Sequence, residues 1–265
     1  MATTTTTTAK VNYRYGRILL LGDSITQLSA VEGAAASWSA LISSHFQRRA
    51  DVLRRGYSGY NTSWVRAGLV QMLEANGAKL RASQPTASEL DNPDTWPFDA
   101  VVIFMGANDA RFNLPQHVDV DQYGANLTEF VRVFHDQLGV PLRQIVIVTP
   151  PAVANDKYEA YTMQTYNEHR ARSNEVTHKY AVEALRVASS LGTRSLNLWQ
   201  AMNDQIEVLP ERLRDGLHFS ESGAAFFATL LIPVLDECLA HIQTVLPEWR
   251  NIDFDNIPGT FPPRT

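Results

Sequence analysis

The 265-residue chain has a single cysteine, Cys238. No intrachain disulfide can form, and a reducing compartment suits such a chain. No apolar stretch approaches the roughly 20 residues of a bilayer span. An excess of positive charge is also missing: 23 Lys and Arg stand against 28 Asp and Glu, a net charge of -5. The cations are scattered apart from short pairs such as Arg48-Arg49 and Arg54-Arg55. Nucleic acid and anionic membrane are therefore excluded as main partners. Neither G-x-G-x-x-G nor a G-K-[ST] element occurs, so the common phosphate loops are absent. No H-E-x-x-H spacing exists, and the histidines have no cysteine cluster to join them, so neither a metal nor an organic cofactor is expected. The opening MATTTTTTAK has no basic n-region, no apolar h-region and no arginines, and reads as a disordered threonine-rich leader. The expected location is cytoplasmic.

What is present is enough apolar material, 45% of residues, to bury one substantial core. Short β-rich runs alternate with longer helical patterns. The run RILLLGD (17–23) is continuously apolar, as a strand covered on both faces would be. DVLRRGYSG (51–59) is weaker, FDAVVIFMGAND (98–109) and RQIVIVTPP (143–151) are strong, and TRSLNLW (193–199) is a fifth. Helical spacing covers about 36–50, 62–76, 121–138, 164–190 and 221–245, with a polar excursion at 76–97. This alternation predicts parallel strands joined by helical crossovers, hence a three-layer α/β/α domain on a five-stranded parallel sheet. A leader (1–14), one domain (15–245) and an extended tail (246–265) complete the division. The tail aromatics Trp249, Phe254 and Phe261 have no partner evident in the sequence. They are left to fold back over the domain or across the partner of a homodimer.

In an open parallel sheet, ligands gather at the carboxyl ends of the strands. The first strand ends in Gly22-Asp23-Ser24, the second runs into Gly56 and Gly59, and the third ends in Gly106-Ala107-Asn108-Asp109. Far downstream, the loop RDGLHFSESG carries Asp215 and His218 before the final helix. Each feature alone has a plain structural use as a cap or turn. Together they supply what acyl transfer needs. A serine hydroxyl is a poor nucleophile without a base to take its proton, and His218 can be that base for Ser24. Asp215, three residues earlier, can hold the imidazole tautomer. An oxyanion needs fixed donors, which the N–H groups of Ser24 and Gly59 and the amide of Asn108 can provide.

The four blocks, GDS at 22–24, the glycine of SGYNTS at 59, GAND at 106–109 and DGLH at 215–218, resemble those of the SGNH (GDSL) hydrolase superfamily, in that family's order. The wording GDSITQ, RRGYSGYNT, GANDA, TPPA and DGLHFSESG is most similar to the isoamyl acetate-hydrolysing esterase branch. The resemblance implies a flavodoxin-like SGNH fold and a cofactor-independent serine esterase. By motif, Ser24, Asp215 and His218 would form the triad, and Ser24, Gly59 and Asn108 the oxyanion hole. The expected partner is a small-molecule ester, such as the acetate of a medium-chain alcohol, with Leu28, Trp64, Phe104, Phe112, Leu217 and Phe219 as candidate pocket walls. A thioesterase, lysophospholipase or carbohydrate deacetylase with the same triad, or a non-catalytic binding module, are the alternatives.

Two decoys are set aside. GYSGY (56–60) nearly spells a nucleophile elbow, but Tyr60 stands where the last glycine belongs. His45, His117, His135, His169, His178 and His241 are expected to be surface or satisfied packing residues.

Overall fold

Five strands form one sheet in a computed structural model that describes residues 14–30, 37–112, 115–169, 171–244 and 246–261. They are β1 (Gly16–Gly22), β2 (Ala50–Gly56), β3 (Ala100–Phe104), β4 (Ile145–Val148) and β5 (Arg194–Leu196), all parallel, in the order β2-β1-β3-β4-β5. β1 lies between β2 and β3, so the winding reverses at β1 and leaves a crevice at the strand tips there, as in flavodoxin-like sheets. The register lines up Gly22 with Gly56 on one side and Phe104 on the other, which brings three carboxyl ends to one level.

The period of two along β1 sorts its side chains between two cores. Ile18 and Leu20 face a layer made by α2 (Trp38–His45) and α10 (Glu221–Cys238), where Trp38, Phe227 and Leu231 are fully enclosed. Leu19 and Leu21 face α3 (Thr62–Ala75), α5 (Val120–Arg132) and α7 (Asn174–Leu191), through Leu69, Phe130 and Val187. All four β1 residues are inaccessible to solvent, and each stabilises the fold by about 1.5–3 kcal/mol through burial. The three-layer α/β/α architecture expected from the sequence is the observed one.

Several expectations change: the helix expected over 36–50 stops at His45, with Ala50 already in β2, and the one expected over 221–245 stops at Cys238. The helix expected over 164–190 is two helices, α6 (Asn155–Tyr166) and α7. Asn167 adopts a left-handed conformation (φ 53°), which stops the first helix, and Ser173 accepts a hydrogen bond from Val176 N to start the second. The last strand is also shorter than 193–199: Leu198 already begins α8 (Leu198–Asn203), capped by Asn197. The excursion at 76–97 contains the short α4 (Ala87–Leu90) with a capping box from Thr86 and Glu89. The expected leader, apart from Arg14, lies outside the described residues. In the tail, α11 (Ile257–Thr260) is a single turn, and Trp249 and Phe254 are exposed. Among the described residues no helix is long and apolar enough to cross a membrane.

Candidate active site

Ser24 is the first residue of α1 (Ser24–Gln27), directly after β1. Asp23 caps that turn, its Oδ1 accepting from Ile25 N at 2.9 Å. The first N–H groups of a helix have no partner within the helix, so the Ser24 N–H is a free donor at the strand tip. Ser24 Oγ lies 2.9 Å from His218 Nε2. On the other side of the ring, His218 Nδ1 and Asp215 Oδ2 are 2.6 Å apart. Asp215 Oδ1 also accepts from the backbone N–H groups of His218 (2.7 Å) and Leu217 (3.0 Å). A bridge between Leu213 and Phe219 closes the base of this loop.

Burial works to raise the Asp215 carboxyl, but the hydrogen bond and charge of His218 and the two backbone donors outweigh it and hold it at about 2. An ionised carboxylate only accepts, so Nδ1 carries a proton and Nε2 of the neutral ring is left to accept from the Ser24 hydroxyl.

Gly59 and Asn108 complete the same surface. Gly59 has φ +80°, which a side chain would strain, and among the described residues its N–H has no partner. Its carbonyl accepts from Gln116 Nε2 at 2.7 Å, which fixes the peptide. Asn108 Nδ2 donates to Tyr60 O at 2.9 Å and keeps a second hydrogen. Ser24, Gly59, Asn108, Asp215 and His218 all line one pocket of about 340 Å³. The arrangement can activate a hydroxyl, accept its proton and present donors to a developing oxyanion.

The neighbouring residues behave differently. Asp109 points away from the pocket into the fold, where Thr62 donates to it through N (3.0 Å) and Oγ1 (2.5 Å), tying β3's tip to the start of α3. Burial pushes Asp109 up to about 7 against those hydrogen bonds. Burial likewise pushes Asp23 up to about 6, opposed by Ile25 N–H and the charges of His218 and Arg172. Ser58 reaches the pocket wall without a histidine beside it; its N–H donates to Gln27 Oε1.

The wall itself departs from expectation. Of the six apolar candidates only Leu217 lines the pocket. Phe104 and Phe219 stack on each other against the core, and Trp64 packs edge-on to Tyr60 at the surface. The wall is instead Tyr158, Tyr161, Tyr166, Arg111, Gln116 and Glu168. Arg172 also lines it, a buried cation that the sequence offered no direct reason to select. The available signal was Asn167 and Ser173, turn- and cap-forming residues that end one helix and start the next.

The other six histidines have local partners. His45 pairs with Asp236, His241 with Asp99 and His169 with Glu159. His117 and His135 contact backbone carbonyls, and His178 stacks on Trp199. Among the described residues no group of three or more His, Cys, Asp or Glu could hold a metal ion.

Known proteins are similar to this chain over most of its length. The model of the GDSL-like lipase/acylhydrolase family matches residues 20–226. An isoamyl acetate-hydrolyzing esterase 1 homolog from Mus musculus is 34% identical over 240 residues, covering 89% of this chain and 88% of the mouse protein. A GDSL esterase/lipase from Arabidopsis thaliana is 34% identical over 214 residues, 78% of this chain and 79% of its own. Among solved structures, a lipase/acylhydrolase from Enterococcus faecalis superposes with a TM-score of 0.61 at 21% identity, covering 86% of this chain and 98% of that one. An acetylxylan esterase variant from Geobacillus stearothermophilus gives a TM-score of 0.55 at 18% identity, over 86% and 96% of the chains. With the family model matching most of the chain and relatives 34% identical over most of both lengths, the chain belongs to the GDSL-like lipase/acylhydrolase family.

Proposed function

We propose that the protein is a serine esterase that hydrolyses small short-acyl carboxylic esters, such as acetates, through an acyl-enzyme on Ser24. The observation that carries this is the unbroken relay from Ser24 Oγ to His218 Nε2 (2.9 Å) and from His218 Nδ1 to Asp215 (2.6 Å). In the forward step His218 takes the hydroxyl proton as Ser24 Oγ bonds to the ester carbonyl carbon. The resulting oxyanion is met by the N–H groups of Ser24 and Gly59 and the free amide hydrogen of Asn108. Collapse breaks the bond to the alkoxy oxygen, which leaves with the proton from His218. Water then repeats the sequence on the acyl-enzyme and releases the acid. Asp215 stays ionised throughout, stabilising the imidazolium.

The family and the names of its relatives, isoamyl acetate-hydrolyzing and GDSL esterases, support the reaction class. A pocket of about 340 Å³ is at the small end of ligand sites and favours a short acyl group. A second reading concerns the alcohol. The polar wall of three tyrosines, Arg111, Gln116 and Glu168 favours a hydroxylated alcohol, as in a carbohydrate acetate, over the branched alkyl group of isoamyl acetate.

A p-nitrophenyl ester series from acetate to palmitate tests the main reading. The expected result is a kcat/KM highest at two to four carbons and abolished in Ser24→Ala. A preference for twelve carbons or more would move the protein to a lipase or lysophospholipase.

A further inference from the structure

Arg172 is 5% exposed, and none of its partners among the described residues is a carboxylate. Its Nε donates to Ala107 O at 2.8 Å, its Nη2 to Asn108 Oδ1 at 2.7 Å, and its Nη1 to the Tyr158 hydroxyl. A buried cation with no hydrogen-bonded carboxylate among the described residues is costly even with the charge of Asp23 nearby, and such costs persist where the charge has work to do. Two of the three hydrogen bonds fall on consecutive residues of the loop after β3. The third reaches α6, whose N-cap residue grips the triad loop: Ala154 N donates to Gly216 O at 3.0 Å. Gly216 has φ +87°, and a side chain there would come within 2.4 Å of Tyr158 N, so Tyr158 rests directly on the loop carrying Asp215 and His218.

The polarity of these contacts decides which way the Asn108 amide faces. Arginine can only donate, so the atom facing it must be Oδ1. A backbone carbonyl can only accept, so the atom facing Tyr60 O must be Nδ2. Between them the two partners leave one N–H hydrogen and no amide oxygen for the pocket. A flipped amide would set Oδ1 against an incoming oxyanion. A positive charge on Oδ1 also polarises the amide and strengthens the remaining N–H as a donor.

We propose that Arg172 is a positioning residue of the oxyanion hole: it locks the Asn108 amide with its N–H toward the reacting carbonyl and places a fixed positive charge behind that donor. This rests on the esterase reading above, and it assigns Arg172 no contact with substrate. Removing Arg172 should therefore act on kcat chiefly through Asn108, and the route through Tyr158 and the triad loop is the alternative that the cycle below separates.

A double-mutant cycle on p-nitrophenyl acetate tests it, using wild type, Arg172→Lys, Asn108→Ala and the pair, with Arg172→Met as a charge-free companion. Lysine keeps the charge but lacks the fork that spans Ala107 O and Asn108 Oδ1. Asn108→Ala alone should lower kcat by roughly 10²–10³ with little change in KM, as for loss of one oxyanion donor. Arg172→Lys should lower kcat by about tenfold or more at unchanged KM, and cost less than about twofold once Asn108 is alanine. Equal fold-losses in both backgrounds, an unchanged kcat, or a KM effect alone would overturn the assignment. If Arg172→Met does not fold, the lysine variant decides the cycle by itself. Ser24-dependent activity with an additive cycle removes only the role of Arg172. A wild type that neither hydrolyses the ester nor takes a fluorophosphonate label removes the esterase reading instead.

Discussion

Ser24 Oγ and His218 Nε2 sit 2.9 Å apart although 194 positions separate them in the chain. The contact exists because β1 ends at the point where the sheet winding reverses and α10 begins beside it, so the loop ahead of α10 hangs over the same tip. Ser24→Ala should abolish ester turnover while the thermal melt is kept, since among the described residues the hydroxyl hydrogen-bonds only to His218. The loss expected is several orders of magnitude; in subtilisin, removal of the serine costs about 2 × 10⁶ in kcat. A fluorophosphonate label that survives in Ser24→Ala, or lands on Ser58, would reject Ser24 as the nucleophile.

Asp215 gives the second prediction. Held at about 2 by His218 and two backbone donors, it remains ionised wherever the protein would work. An acid limb of the pH–rate profile lying well above that value is then not set by Asp215. No loss of rate attributable to Asp215 is expected above about pH 4, and a midpoint between 2 and 3 would give control to Asp215 instead. Asp215→Asn keeps the shape but replaces the acceptor of the Nδ1 proton. About a 10⁴-fold loss in kcat is expected, the size seen when a triad aspartate becomes asparagine; a loss below tenfold would leave Asp215 a merely structural cap of its loop.

Much of this was legible in the sequence for a definite reason. The apolar runs of β1, β3 and β4 are covered on both faces, so they stand out as uninterrupted hydrophobic segments. The candidate triad and donors fall in short blocks, each shaped by a local turn, so Ser24, Gly59, Asn108, Asp215 and His218 could be named before their distances were known. Arg172 could not. Its role depends on a break in helical structure at Asn167 and on contacts with Asn108, 64 positions away. The pocket wall was misjudged for a related reason. Phe104 is near the site in sequence, but as the last residue of β3 it points to the α2/α10 core, where Trp38 and Phe227 receive it edge-on and tilted. Strand direction, not proximity in sequence, decides which side chains reach a pocket.

Asp109 carries a prediction about stability. Burial pushes its carboxyl from an ordinary 3.8 up to about 7 against the hydrogen bonds of Thr62. The folded state therefore holds this proton more tightly than the unfolded chain. Stability from this group is fully present below about pH 4 and is lost as pH rises toward 7. Asp109→Asn keeps an oxygen to accept from Thr62 and has no proton to lose. The Tm of wild type relative to Asp109→Asn should thus fall between pH 5 and pH 8. A difference that stays constant over that interval would mean that Asp109 is ionised in the fold at both pH values.

The alcohol side of the substrate can be resolved by holding the acyl group fixed. Tyr158, Tyr161, Tyr166, Arg111, Gln116 and Glu168 surround the space next to Ser24, and Arg111 is already paired with Glu168 at 2.9 Å and Gln116 at 3.1 Å. An alkyl group entering there would strip water from these groups and return no hydrogen bonds, which costs about 1–3 kcal/mol for each polar group left unpaired. A hydroxylated alcohol can exchange its own hydrogen bonds for theirs. With acetate as the common acyl group, kcat/KM should be higher for an acetylated sugar than for isoamyl acetate, by about tenfold if one such penalty separates them. Arg111→Met should narrow that ratio by raising the rate on isoamyl acetate relative to the sugar ester. A wild type that prefers isoamyl acetate, with Arg111→Met leaving the ratio unmoved, would restore the branched-alcohol substrate and make the polar wall irrelevant to selection.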